Sequence, residues 1–356
     1  MTRTPITDPC AWQGKDIKDS KRWIRQLAPA HVGELEAALA HVKGKPWQEI
    51  KRADFPLATL GTLLADIRDE LENGCGIMKL KGFPVENHSE DDLRRMYFGL
   101  GTHLGTPVFQ NRSGEMMRAI RDEGAHVGRT YGQTRDAQGG TFLSSYARTL
   151  TNGGLRFHTD RTDVVGLLCV RQAMKGGVST LASTPAIHNA ILARRPELLD
   201  ALFTDYWRSR FGEEGSGKDG SSTTRTTAYP LPIFGLRDGK FTSHYSLTFI
   251  EAAQMANDIP RLTPAQKEAI DVLMATAQEL CFEMTLEPGD LQLINSHVTY
   301  HGRTPFEDDA ASGHDRLLLR LWLSMPNNRP LPQGHEVLWR NIEAGQVRGG
   351  IQQMAL

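Results

Sequence analysis

"LEPGDLQLINSHVTYHGRTPF", residues 286–306, joins a turn, a strand and two histidines in one short stretch. Pro288, Gly289 and Asp290 are turn residues, and they feed an apolar run that ends near Asn295. His297 and His301 lie beyond that run, and either is placed to reach a metal. For His297 the better reading is a hydrogen-bonded core histidine. Other β-type runs share this texture from about residue 140 onward: "VVGLLCVRQA" (164–173), "GGVSTLAS" (176–183), "GKFTSHYSLTFI" (239–250) and "DRLLLRLWLSMP" (315–326). Many short strands separated by Gly and Pro predict a mainly β fold, a barrel or a jelly roll.

Helical patterns flank these strands. Residues 20–45 carry Val32, Leu35, Leu39 and Val42 at three- and four-residue intervals, which predicts one helix. "FPLATLGTLLADIRDELENGCG" (55–76) predicts a second, stopped at Asn73-Gly74, and "GIMKLKGFPV" (76–85) a buried strand after it. Ser89 followed by Glu90, Asp91 and Asp92 is a cap with an acidic first turn. "PAIHNAILARRPELLDALF" (185–203) and "TPAQKEAIDVLMATAQELC" (263–281) are helical segments that interrupt the strands. Residues 212–228 are rich in Gly, Ser and Thr without apolar anchors, the composition of a mobile loop, with a lid as one use for it. The expected organisation is a helical extension over 1–74 packed on a core over 75–356, as a single structural unit.

Bulk properties exclude several classes. With 41 Lys plus Arg against 42 Asp plus Glu, the chain has no net field for nucleic acid or an acidic membrane surface. Cys10, Cys75, Cys169 and Cys281 are scattered, with no C-x-x-C pair, which argues against a zinc knuckle or a disulfide framework and for a reducing compartment. "MTRTPITDPCAWQGKD" has no apolar core of a signal peptide, and no run approaches membrane-spanning length. The expectation is a cytoplasmic protein whose partner is a small-molecule substrate, without nucleic acid or membrane. A homo-oligomer stays open, because isologous interfaces carry no motif.

"LRFHTDRTDV" (155–164) carries the chemistry. Side chains at i and i+2 of a strand leave the same face, so His158 and Asp160 project together. An imidazole and a carboxylate so placed, with a distant histidine, make the 2-His-1-carboxylate set of non-haem iron. In "DRLLLRLWLSMP" the alternation puts Leu317, Leu319, Leu321 and Leu323 on one face. Arg316, Leu318, Arg320 and Trp322 share the other. Arginines on so apolar a strand are solvated or meet anions, because an unpaired buried guanidinium is costly. At about 3.3 Å per residue their backbones sit roughly 13 Å apart, enough to serve different carboxylates around one cavity.

The ordered set "HTD" (158–160), "GGVSTLAS" (176–183), "NSHVTYHGRTPF" (295–306) and "RLLLRLWL" (316–323) resembles the taurine dioxygenase and clavaminate synthase superfamily of Fe(II)- and 2-oxoglutarate-dependent oxygenases. The resemblance covers roughly residues 75 to 350. It implies a double-stranded β-helix with flanking helices, and Fe(II), 2-oxoglutarate and O2 as cofactor and cosubstrates. It implies His158, Asp160 and His301 as iron ligands, His301 because it opens "HGRTPF". Arg316 matches the arginine for the far carboxylate of 2-oxoglutarate, and Ser179 the hydroxyl beside it, with Thr180 as the alternative. Arg320 matches a second arginine near the iron-bound end of the cosubstrate and the substrate, and His244 and Tyr245 fall in a segment that lines the substrate side. The implied reaction is hydroxylation of an unactivated C–H bond in a small polar or anionic molecule, releasing succinate and CO2. Asp160 fills the position that halogenating relatives leave open, so halogenation is excluded. Desaturase or cyclase chemistry on the same site is an alternative. Two further alternatives are a non-catalytic metal-binding jelly roll that senses a ligand, and a zinc hydrolase using the same triad.

Overall fold

The strand Leu317–Ser324 shows how the sequence pattern becomes the fold. Leu317, Leu319, Leu321 and Leu323 enter a core cluster beneath helices Leu60–Asn73 and Glu90–Leu104, where Leu64, Ile67, Met96 and Leu100 meet them. Leu318 and Trp322 leave the opposite face and pack with Val165, Ile294, Leu181 and Phe282. One strand thus closes two apolar layers, and truncating one such leucine to alanine costs about 2–5 kcal/mol. The structure is a computed structural model that describes residues 4–136, 138–212 and 228–352. The loop expected over 212–228 lies, but for its two ends, outside the described residues.

Two sheets carry the site. The larger has seven strands, in the order Ile24–Gln26, Ile77–Lys81, Leu291–Asn295, Val164–Arg171, Leu317–Ser324 and Thr106–Pro107, with Met117–Ile120 also paired to Leu317–Ser324. Its pairings are antiparallel except for Ile24–Gln26 on Ile77–Lys81. The smaller is antiparallel, in the order Phe282–Met284, Ser179–Ser183, Thr299–Arg303 and Leu155–His158. The cluster of Val165, Cys169, Ile294, Leu318 and Trp322 with Leu181, Phe282 and Met284 takes side chains from both sheets. The architecture is sheet-rich, with helices outside the larger sheet and beside the smaller one.

Two local expectations are corrected and one is refined. Residues 20–45 hold a short strand, Ile24–Gln26, and a helix over Pro29–His41. Pro29 has no N–H and is tolerated only in a first helical turn, so it starts the helix. Pro196 likewise divides the 185–203 segment into helices Thr184–Arg194 and Pro196–Leu202. In "GKFTSHYSLTFI" only Lys240–Ser243 is strand, and Leu247–Gln254 is a helix. The apolar "LTFI" runs on into "EAAQ", good helix formers, and a short apolar run does not by itself separate helix from strand.

Candidate metal centre

Antiparallel pairing sets the first two ligands. Leu155–His158 lies against Thr299–Arg303 with His301 directly opposite His158. Directly opposed residues share a sheet face, and the two imidazole rings stand 4.2 Å apart between centroids. Asp160 follows where the strand ends, at 8 % exposure. Its Oδ1 is 3.9 Å from His158 Nε2 and its Oδ2 3.7 Å from His301 Nε2. One ligand atom from each of the three residues lies within 4.8 Å of the others.

Protons and charges are arranged for a cation. His158 Nδ1 lies 2.9 Å from the Arg156 carbonyl. That oxygen only accepts, so Nδ1 carries a proton and Nε2 is the nitrogen turned toward Asp160. Burial alone would push the Asp160 carboxyl up. The Arg320 guanidinium 3.8 Å away, the two imidazoles and the Trp322 Nε1–H, which donates to Oδ2 at 3.1 Å, together hold it below the usual carboxylate range. Burial, with His158 beside it, pushes His301 down to about 3, so the ring is neutral at physiological pH. Two imidazoles and one carboxylate, converging on one point, suit ferrous ion by donor type and number.

Two cavities meet at this triad. One, of about 470 Å³, is lined by His158, His301, Ser179, Arg303, Arg316 and Arg320, together with Thr149 and Gln292. Among the described residues none that lines it carries a carboxylate. Arg316 Nη1 and Arg303 Nε and Nη1 have no hydrogen-bond partner among the described residues. Both guanidiniums stand over the Phe306 ring, 5.1 Å and 4.7 Å from its centroid. Burial pushes Arg316 down to about 10 and Arg303 to about 9, which still leaves both charged. Spare buried donors and no acid are the lining a dianion such as 2-oxoglutarate requires. The second cavity, of about 690 Å³, reaches Asp160 and His158 past Asn111, Tyr146, Phe249 and Leu338.

The remaining sequence candidates divide. Ser179 lines the smaller cavity, whereas Thr180 points away beside Gly302 and does not line it. Arg320 lines both cavities. His244 lines the larger one, with Nδ1 3.1 Å from Thr159 Oγ1 and Nε2 without a hydrogen-bond partner among the described residues. Tyr245 is not brought to either cavity: its ring packs at 5.5 Å on Tyr300 within the core around Phe157 and Ile187. His297 is held elsewhere, 2.9 Å from Asp163 and 4.7 Å between ring centroids from Trp339. Sequence reasoning missed Gln110, which accepts from Arg320 Nε at 2.7 Å and donates to the Arg320 carbonyl at 2.9 Å. It also missed Gln292. A lone amide inside "LQLIN" was the available signal for that residue, and Gln110 had none.

Fold and site together define an iron(II)- and 2-oxoglutarate-dependent oxygenase. Residues 41–322 match the model of the taurine catabolism dioxygenase TauD, TfdA family, and the chain belongs to that family. FR-33289 synthase from Streptomyces rubellomurinus is 31% identical over 341 residues, covering 93% of this chain and 94% of the relative. Asparagine oxygenase, solved with Fe(II), hydroxyasparagine and succinate, superposes with a TM-score of 0.61 at 18% identity, covering 85% of this chain and 94% of that one. The non-haem iron oxygenase OrfP, solved with Fe and alpha-ketoglutaric acid, gives 0.58 at 16% identity over 85% of this chain and 94% of its own.

Proposed function

We propose that the protein hydroxylates an unactivated C–H bond of a small polar or anionic molecule and releases succinate and CO2. The observation that carries this reading is the convergence of His158, Asp160 and His301 where the two cavities meet. The iron those residues would hold, with 2-oxoglutarate and O2, supplies the oxidising power for hydrogen abstraction. In this reading the 470 Å³ cavity takes the cosubstrate and the 690 Å³ cavity takes the substrate. Arg316 pairs with the far carboxylate and Ser179 donates its hydroxyl to it, with Thr180 set aside. Arg320, clamped by Gln110, serves the near end of the cosubstrate and an anionic group of the substrate. His244 offers its Nε2 to the substrate, and Tyr245 acts only through packing. Trp322, Phe249, Leu338 and Ile351 wall the larger cavity and exclude water from it.

The wider reading follows from the same features. The two sheets form a double-stranded β-helix, and residues 1–74 complete a single unit with 75–356 by adding Ile24–Gln26 to the larger sheet. Free cysteines fit a cytoplasmic setting, and among the described residues no helix is long and apolar enough to cross a membrane. The names of a synthase relative and of neighbours solved with hydroxyasparagine and hydroxy-arginine support hydroxylation of a small molecule. The test is a metabolite panel screened for substrate-stimulated succinate release, followed by mass analysis. A product heavier by one oxygen is expected. A product lighter by two hydrogens replaces hydroxylation with desaturation or ring closure, and absence of succinate overturns the reading.

A further inference from the structure

Gln292 is polar where its strand calls for an apolar side chain. Every residue of Leu291–Asn295 is buried. Leu291 and Leu293 enter the core under the helices, while Ile294 enters the layer between the sheets. By alternation Gln292 shares the face of Ile294. It is 1 % exposed, and neither its Oε1 nor its Nε2 has a hydrogen-bond partner among the described residues. An interior amide left unpaired is destabilising, and leucine or methionine would fill the space without that cost.

What the amide faces is the 470 Å³ cavity. Gln292 stands opposite Leu167, which stands opposite Arg320, so the three side chains form one row on the inner face of the larger sheet. Thr149, His158 and Arg320 line both cavities, whereas Gln292 lines only this one, as do Ser179, Arg303 and Arg316. Gln292 therefore belongs to the wall of this cavity and not to that of the substrate side. That wall carries spare N–H groups on Arg303 and Arg316 and, among the described residues, no acid. An amide N–H aimed into such a space finds its partner in an anion's oxygen, and the amide oxygen has donors around it.

We infer that Gln292 donates its amide N–H to the far carboxylate of 2-oxoglutarate and so favours a dicarboxylic over a monocarboxylic 2-oxo acid. This rests on the smaller cavity being the cosubstrate site. The unpaired amide is the cost carried by the ligand-free protein, recovered when the carboxylate arrives.

The test is anaerobic calorimetry on the Fe(II)-loaded protein with two probes, 2-oxoglutarate and 2-oxopentanoate, which has the same chain length but ends in a methyl group. Gln292→Met is expected to weaken 2-oxoglutarate about tenfold or more, to leave 2-oxopentanoate within about twofold of the unsubstituted protein, and to raise the melting temperature of the ligand-free protein by roughly 2 °C. Gln292→Leu is expected to do the same and guards against a fault peculiar to methionine. If the unsubstituted protein binds no 2-oxoglutarate, the cavity assignment fails and the inference falls with it. If that protein binds but both variants bind as tightly, the cavity stands and the role of Gln292 is refuted. Equal weakening of both probes together with a lower melting temperature also refutes it, since Gln292 would then be a packing element.

Discussion

His297 and His301 lie close together in the chain, and each faces a buried aspartate, yet their surroundings are opposite. Asp163, beside His297, accepts from Arg348 Nε at 2.7 Å, Asn328 Nδ2 at 2.7 Å, the Met325 amide at 2.9 Å and Ser324 Oγ at 3.3 Å. His297 Nδ1 is itself 2.9 Å from Thr242 Oγ1. Both carboxylate oxygens of Asp163 and both ring nitrogens of His297 are engaged, and one arginine balances one carboxylate. Asp160, beside His301, takes one indole N–H, and its nearest cations and imidazoles stand between 3.7 and 3.9 Å away. His301 Nδ1 has no partner among the described residues. A saturated cluster holds a structure together, whereas a loose convergence of donors leaves room for an ion.

Six substitutions sharpen that contrast. The largest effect belongs to the loose cluster: Asp160→Ala, His158→Ala or His301→Ala should lower succinate formation by about a thousandfold or more while the melting curve stays near that of the unsubstituted protein. A variant of this set that keeps turnover would break the assignment of its residue. Next comes Arg316→Leu, expected to raise the apparent KM for 2-oxoglutarate about a hundredfold with iron retained. Metal analysis and initial rates on one preparation decide it, and lost iron would make the role structural.

The saturated cluster should answer in stability rather than turnover. Asp163→Ala leaves Arg348 buried without its counter-charge and should cost about 3–5 kcal/mol in denaturant unfolding. Turnover per folded molecule should stay within about threefold. The smallest effect is one of pH. Burial pushes His297 down to about 4, despite the hydrogen bond to Asp163, because Arg348 already neutralises that carboxylate. The folded value lies below the ordinary value of 6.5, so the contribution is full above pH 6.5 and is lost as pH falls from there toward 4. His297→Gln should therefore flatten the acid side of the stability profile across that window and leave much of the turnover. Loss of turnover in His297→Gln alongside retention in His301→Ala would exchange the two histidines.

How far the sequence disclosed this depended on whether local chemistry or distant neighbours decided each residue. The two faces of Leu317–Ser324 were legible because period-two alternation is local, and both leucine and arginine faces stand where it put them. His158 and Asp160 could be paired from strand geometry alone. The choice of His301 over His297 needed the family motif, because both follow the same strand and the groups that occupy the His297 ring, Asp163, Thr242 and Arg348, are far away in the chain. Ser179 and Thr180 could not be separated until pairing with Thr299–Arg303 fixed which faced inward. Gln110 was illegible, since its partner Arg320 is remote in sequence and its own surroundings "PVFQNRSG" have no periodicity. Tyr245 showed the reverse fault: a residue beside His244 inherits a functional reading that its buried ring does not support.

The most direct measurement is an anaerobic titration of the metal-free protein with ferrous ion in the presence of 2-oxoglutarate, followed by visible absorption. One charge-transfer band saturating at a single iron per chain is predicted, absent from Asp160→Ala and His301→Ala and present in His297→Gln. No band in the unsubstituted protein, or an undiminished band in the Asp160 and His301 variants, would contradict a metal held between the two sheets by these three side chains.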